Sequence, residues 1–154
     1  GFIRRVLRGN YLNNPIVHVS RRYAFSSSHR LYADQLSSEM NERIFGKCAN
    51  PHGHGHNYGL TVTVKGPIDR ETGFAIRLDE LDAAVQSYVL DAYDHKYLNR
   101  DVEDYFDLIP TGENIALKVW DRLQVPLAER LVHVVIDETR NNRFEHPPVS
   151  GRQQ

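Results

Sequence analysis

Between Ile16 and Ser28 apolar and polar residues alternate along the chain. Val17, Val19, Tyr23 and Phe25 share one parity, and Arg21 is the exception in that row. The pattern predicts a strand with one buried face, ending at His29. Asp34 to Phe45 is polar with scattered apolar positions and predicts a short helix or an ordered loop. The next stretch, to Tyr58, contains too much Gly and Pro for a regular helix. From His56 to Lys65 the alternation returns, with Leu60, Val62 and Val64 against Thr61, Thr63 and Lys65. Gly66-Pro67 breaks that strand. Asp69 to Gly73 reads as a turn, and Phe74 to Leu78 as a strand returning beside the first in a hairpin.

The period then changes. Leu81, Ala84, Val85, Tyr88, Val89 and Ala92 recur at steps of three and four, which predicts an amphipathic helix from an Asp79 N-cap to about Tyr93. Asp94 to Pro110 predicts a loop. A second helix is expected from a Thr111 cap to Gln124, with Ile115, Ala116, Val119, Trp120 and Leu123 as its apolar stripe and Pro126 as its end. Leu131 to Thr139 predicts a strand with Val132, Val134 and Ile136 on one face, and Arg143 to His146 a short last strand. The fold class is therefore α+β, an antiparallel sheet with helices packed on one face. Residues 1–15 read as a flexible tail, 16–146 as a single domain and 147–154 as a C-terminal tail.

Composition narrows the function. The chain has 154 residues, 25% of them charged and 40% hydrophobic, with a net charge of −1. That balance argues against a nucleic-acid or membrane partner in bulk, and no apolar run reaches the length of a membrane span. With one cysteine, no disulfide forms within the chain, so a reducing, cytoplasmic setting is expected. Arg4, Arg5 and Arg8 precede the first acid, Asp34, and leave organelle targeting open.

The chemistry is concentrated in FGKCANPHGHGHNY, Phe45 to Tyr58, which holds that cysteine, Cys48, and His52, His54 and His56. Side chains two apart on a strand point the same way, so His54 and His56 can share one ion. Catalytic zinc takes three protein ligands and keeps a position open. The third ligand here is either His52, continuing the alternation, or His29 from the end of the first strand. The competing reading is a solvated His run that binds nothing. Asp94-His95 closes the first helix and suits an acid–base pair, in which the carboxylate raises the imidazole pKa and sets its tautomer. Adjacent side chains do not naturally face each other, so the pair would serve a group elsewhere, with Cys48 the candidate. The same pair also suits a plain helix end, with the imidazole near the helix C-terminus. Glu138 at a strand end and Glu113 in a helix's first turn are carboxylates that could accept the paired N–H groups of a guanidine-like heterocycle.

SRRYAFSSSHRL (Ser20–Leu31), the Phe45–Tyr58 segment, GPID…TG (Gly66–Gly73), LDAYDHKYLNRDVEDYF (Leu90–Phe106), PTGENIA (Pro110–Ala116) and DETRNN (Asp137–Asn142) together resemble the 6-pyruvoyltetrahydropterin synthase family, in its order and spacing. The resemblance implies a T-fold: a four-stranded antiparallel sheet with two helices on one face. Three such sheets would join edge to edge into barrel-forming trimers that stack as a homohexamer, with active sites between subunits. It implies one Zn2+ per subunit on His29, His54 and His56. His52 stands where members of the family usually have Asn, so it is not an implied ligand. Cys48 matches the catalytic cysteine, Asp94 and His95 the catalytic pair given by a neighbouring subunit, and Glu138 the pterin-anchoring glutamate. Glu113 and Thr111 match the pterin pocket, although Gly112 stands where relatives often have Thr or Ser.

The implied reaction converts 7,8-dihydroneopterin triphosphate to 6-pyruvoyltetrahydropterin, with triphosphate elimination and an internal redox change, in tetrahydrobiopterin biosynthesis. Mg2+ is a further expected helper, with Arg30 and Lys47 as local cations for the triphosphate. The nearest rival is 6-carboxytetrahydropterin synthase of the queuosine pathway, which shares substrate, zinc site and Cys–Asp–His set. The long Cys48 loop and the long Asn99–Pro110 segment favour the pyruvoyl enzyme, while PTGE leans towards the carboxy one. A non-catalytic zinc- or pterin-binding protein is the reading from another class.

Overall fold

In the computed structural model, which describes residues 14–149, the strand predicted from Ile16 forms β1 (Ile16–His29) and the second histidine-bearing strand forms β2 (His54–Pro67). They pair antiparallel along their whole length, with Phe25 opposite Tyr58 and Tyr23 opposite Leu60. β2 continues on its other edge to β4 (Leu131–Asp137), and β4 to β5 (Arg143–His146). A two-residue strand, β3 (Lys96–Tyr97), runs parallel to β1 at the opposite edge, so the sheet has five strands in the order β3-β1-β2-β4-β5. Four strands are antiparallel and one is parallel, so the sheet has one strand more than the four that the resemblance implied. The fifth strand comes from the segment expected to be loop.

The sheet buries one parity. Phe25, Tyr58, Leu60, Val62, Val64, Val134 and Ile136 form one cluster with Leu81, Val85, Val89, Ile115, Val119 and Leu123 of the helices. Arg21 interrupts the apolar row of β1 for a reason visible in three dimensions. Its guanidinium donates to Asp82 at 2.7 and 3.2 Å, and Tyr23 Oη donates to the same carboxylate at 2.7 Å. The exception is a polar clasp between β1 and the first long helix.

Four expectations need correction. Phe74 to Leu78 forms no strand. The edges of β2 are already taken by β1 and β4, so a returning strand would find no free ladder. The first long helix, α2 (Leu78–Val85), is preceded by Arg77 at the N-cap position, not by Asp79. Asp79 lies in the first turn, where its carboxylate meets the Arg77 guanidinium at 2.6 Å and favours the helix dipole. The helix at Gly112–Leu127, α3, carries Pro126 inside its last turn and ends at Ala128, whose φ is 49°. On β4 the buried row is Leu131, Val134 and Ile136, not Val132. A register shift between Thr63 and Val64 accounts for that change of parity.

The remaining helices arise locally. α1 (Ser38–Phe45) is capped by Ser37, which accepts from the Met40 N–H, and buried Asn41 ties its start to both backbone groups of Ala33. α2 continues through a π-helical turn (Gln86–Leu90) and a last α-turn (Asp91–Tyr93). Thr111 caps α3 as expected, accepting from the Asn114 N–H. Among the described residues no helix is long and apolar enough to cross a membrane. The tails at 1–13 and 150–154, with Arg4, Arg5 and Arg8, lie outside the described residues.

Gly112 is required by packing. A Cβ there would overlap the ring of Phe144, which packs partly buried against the core. Gly112→Ala is expected to destabilise the protein by about 1–3 kcal/mol in denaturant unfolding. In a Phe144→Ala background the same change should become neutral or stabilising, because Ala then gains its helical propensity without the overlap.

Candidate active site

The antiparallel register of β1 and β2 sets His29 directly opposite His54, and Ser27 opposite His56. All three histidines belong to the buried parity, one strand end away from the apolar core. Their ligand atoms lie within 4.8 Å of one another. His56 Nε2 stands 3.1 Å from His29 Nε2 and 3.2 Å from His54 Nε2. His29 Nδ1 is 2.9 Å from the Pro110 carbonyl and 3.3 Å from Tyr58 Oη. The carbonyl can only accept, so Nδ1 carries the proton and Nε2 turns a lone pair into the cluster.

Burial makes that neutrality firm. It pushes His29 down to about 4, with the Pro110 bond opposing and the neighbouring imidazoles assisting. Burial also lowers His56, against the pull of Glu138. Three imidazoles whose ring nitrogens lie within 4.8 Å of one another are the donor type a borderline-soft divalent ion takes, so the set fits a metal. His52 takes no part. Gly53 turns the chain at φ 66° just before β2 begins at His54, which leaves His52 exposed in the preceding turn. A Cβ at Gly53 would lie 2.5 Å from the His29 carbonyl oxygen, so that position must be glycine for the strands to close.

Cys48 sits on a 3-10 turn (Gly46–Ala49) after α1, with Sγ 3.1 Å from His54 Nε2. The turn is held to the end of β1 by Leu31 N–H donating to the Cys48 carbonyl at 2.7 Å, and by Arg30 Nε donating to the Ala49 carbonyl at 3.1 Å. Arg30 also lies 4.1 Å over the Tyr32 ring. It therefore acts as a strut for the cysteine turn, while Lys47 stands exposed beside Cys48. Burial raises the Cys48 thiol pKa, and the charge of Glu138 raises it further. Glu138 follows β4 and is half-buried. Its field acts on Cys48, His56 and Tyr58, which puts its carboxylate on the cluster side of the sheet.

Asp94 and His95 do not reach Cys48 within one chain. Asp94 Oδ1 accepts from Ser26 N–H at 2.9 Å, and His95 N–H donates to the Ser26 carbonyl at 2.6 Å. His95 Nδ1 lies 3.1 Å from Asp94 Oδ2. This adjacent pair does meet, because His95 adopts a φ of 59° that folds its ring back. The bond from Ser26 holds the Asp94 pKa low, helped by His95. The His95 side chain is 83% exposed at the sheet edge, and a cleft lined by Ser28, Gly55 and Tyr97 opens beside it. Glu113 is exposed in the first turn of α3, and the Thr111 hydroxyl is occupied as its cap. Tyr58 and the Pro110 carbonyl were missed from sequence. Tyr58 continues the parity of His54 and His56, which was a usable signal. A backbone carbonyl leaves none.

The 6-pyruvoyl tetrahydropterin synthase family model matches residues 18–148. The 6-pyruvoyl tetrahydrobiopterin synthase of Drosophila melanogaster is 45% identical over 130 residues, spanning 83% of this chain and 77% of the fly protein. That of Homo sapiens is 46% identical over 125 residues, spanning 80% and 86%. The structure of Caenorhabditis elegans 6-pyruvoyl tetrahydropterin synthase superposes with a TM-score of 0.80 at 38% identity, covering 86% of this chain and 95% of that one.

The neutral His29 generates a pH dependence. Its folded pKa, about 4, is below the ordinary 6.5. Between those values the unfolded chain binds the additional proton, so stability rises with pH. In metal-stripped protein the contribution should be present above pH 6.5 and be lost as pH falls towards 4. Urea unfolding should show a loss on the order of 3 kcal/mol across that window, and His29→Gln should flatten it. With register, histidine cluster and relatives agreeing, this chain belongs to the 6-pyruvoyl tetrahydropterin synthase family.

Proposed function

We propose that this protein is a zinc-dependent lyase that converts 7,8-dihydroneopterin triphosphate to 6-pyruvoyltetrahydropterin, with loss of triphosphate, in tetrahydrobiopterin biosynthesis. The observation that carries the reading is Cys48 Sγ held 3.1 Å from a histidine of a convergent three-imidazole cluster. Relatives named 6-pyruvoyl tetrahydrobiopterin synthase, 45% and 46% identical over most of the chain, support it.

His29, His54 and His56 would hold the zinc. When bound, the ion supplies Lewis-acid polarisation of the substrate's side-chain oxygens, which acidifies the adjacent C–H bonds. Cys48 Sγ is the atom that accepts and returns protons at those carbons. Its thiol sits at the cluster's edge, where a substrate side chain over the imidazoles would come within reach. Glu138 orients the ring by accepting two N–H bonds from the amino-pyrimidine edge. Glu113 and Thr111 complete that pocket from the start of α3. The internal redox change needs no external oxidant, because oxidation of the side chain balances reduction of the ring. Mg2+ and Lys47 neutralise the departing triphosphate.

Asp94 and His95 act on the Cys48 of a neighbouring copy. Their exposure at the β3 edge, and their distance from any contact with their own cysteine, suit a site completed between subunits. We infer edge-to-edge trimers that form a barrel and stack as a homohexamer, working in the cytoplasm without nucleic acid or membrane.

Incubation of purified protein with 7,8-dihydroneopterin triphosphate and Mg2+ should yield 6-pyruvoyltetrahydropterin by mass. A 6-carboxy product would move the protein to the carboxytetrahydropterin branch, and no turnover with zinc in place would favour a binding role. Cys48→Ala should lower turnover by at least about 100-fold, with zinc content measured by atomic emission unchanged. Product formation that survives this change would remove Cys48 from its role.

A further inference from the structure

The Asp94–His95 corner has little packing of its own. What precedes it is held from two sides. On the main chain, Ser27 Oγ donates to the Tyr93 carbonyl, and Asp94 N–H to the Leu90 carbonyl at 2.9 Å. On the side-chain side, Tyr93 is fully buried, packed edge-on against Phe25. Its hydroxyl donates to Asp104 Oδ2 at 2.7 Å and accepts from Tyr105 Oη at 2.9 Å. Asp104 is gripped by Arg122 of α3 in a bidentate pair at 2.6 and 3.0 Å. Arg122 also donates to the Tyr88 carbonyl at 3.1 Å and lies 5.2 Å over the Tyr93 ring. The same arginine thus holds the helix that delivers the corner at two successive points.

We propose that Asp104 and Arg122 are positioning residues for the Asp94–His95 pair, acting through Tyr93. This rests on the functional reading above. The physical case is geometric. His95 adopts a left-handed φ and an exposed ring, and among the described residues its bonds are to Ser26 and Asp94 alone. Its direction is inherited from the residue before Asp94. That residue is the last of a helical segment whose π-turn (Gln86–Leu90) resets the phase, bringing Val89 and Tyr93 both into the core. A half-buried, bidentate ion pair with a third hydrogen bond to a tyrosine is stiff, which is what a proton-relay group needs.

The test uses the zinc-loaded full chain, with Tyr93→Phe and Arg122→Lys. Tyr93→Phe keeps the ring in the core and loses only the hydroxyl. Arg122→Lys keeps the charge and loses the fork. Both should lower kcat about 10-fold with KM within about two-fold, leave zinc content unchanged, and speed amide hydrogen exchange at His95 and Lys96. A loss of thermal stability with kcat and exchange both unchanged would show the network to be merely structural and overturn the proposal. If the unaltered protein turns nothing over, the functional reading fails by itself. Exchange at His95 then still decides whether Tyr93 anchors the corner, and unchanged exchange would overturn that too.

Discussion

Everything at the site depends on one register. β1 and β2 pair so that His29 faces His54, with Phe25 stacked on Tyr58 four residues back at a centroid distance of 5.0 Å. Side chains alternate with a period of two, so a slip by one residue would carry His29, Phe25 and Tyr23 to the opposite face together. The histidine cluster and the hydrophobic core are therefore set by the same choice. The apolar pairs favour this register, since a one-residue slip would expose them. The histidines occupy the end of the same row, where that alignment leaves no freedom.

From that point outward the site is assembled from the ends of elements. His29 ends β1, His54 opens β2, Glu138 follows β4, and Pro110 precedes α3. Backbone groups connect them: the Pro110 carbonyl sets the His29 tautomer, and the Cys48 carbonyl takes the Leu31 N–H. Element ends carry unpaired backbone donors and acceptors, so they can bond to one another without breaking a ladder or a helix. A rigid sheet then holds the imidazoles, while the cysteine rides on a short turn braced by Arg30.

Much of this could be read from the chain. The alternation around Val62 and the three-four spacing around Val119 foretold a strand and a helix whose buried residues match closely. Those patterns report burial, and burial is what each residue's hydrophobicity encodes. The errors fell where pairing or local polar bonds decide. Phe74 to Leu78 had a plausible strand pattern but no open edge to join. Val132 followed the period of its neighbours until a register shift moved Leu131 into its place. Lys96-Tyr97 gained a strand because Asp94 and His95 dock on Ser26, the Asp94 bond spanning 68 residues of sequence.

Sequence by itself determined the α+β class, the core parity of β1 and β2, the Thr111 cap, and the set of residues able to do chemistry. Those are consequences of residue type and short-range spacing. Spacing left His29 and His52 both open and the resemblance named His29; the tertiary structure supplies the reason, because a positive φ at Gly53 turns His52 away while strand pairing sets His29 opposite His54. Only the tertiary structure decided that Arg21 is a clasp, that Gly112 yields its space to Phe144, and that Arg122 reaches Tyr93. Each of those is a contact between distant segments. Such contacts depend on where the whole chain comes to rest, and no local pattern carries that information.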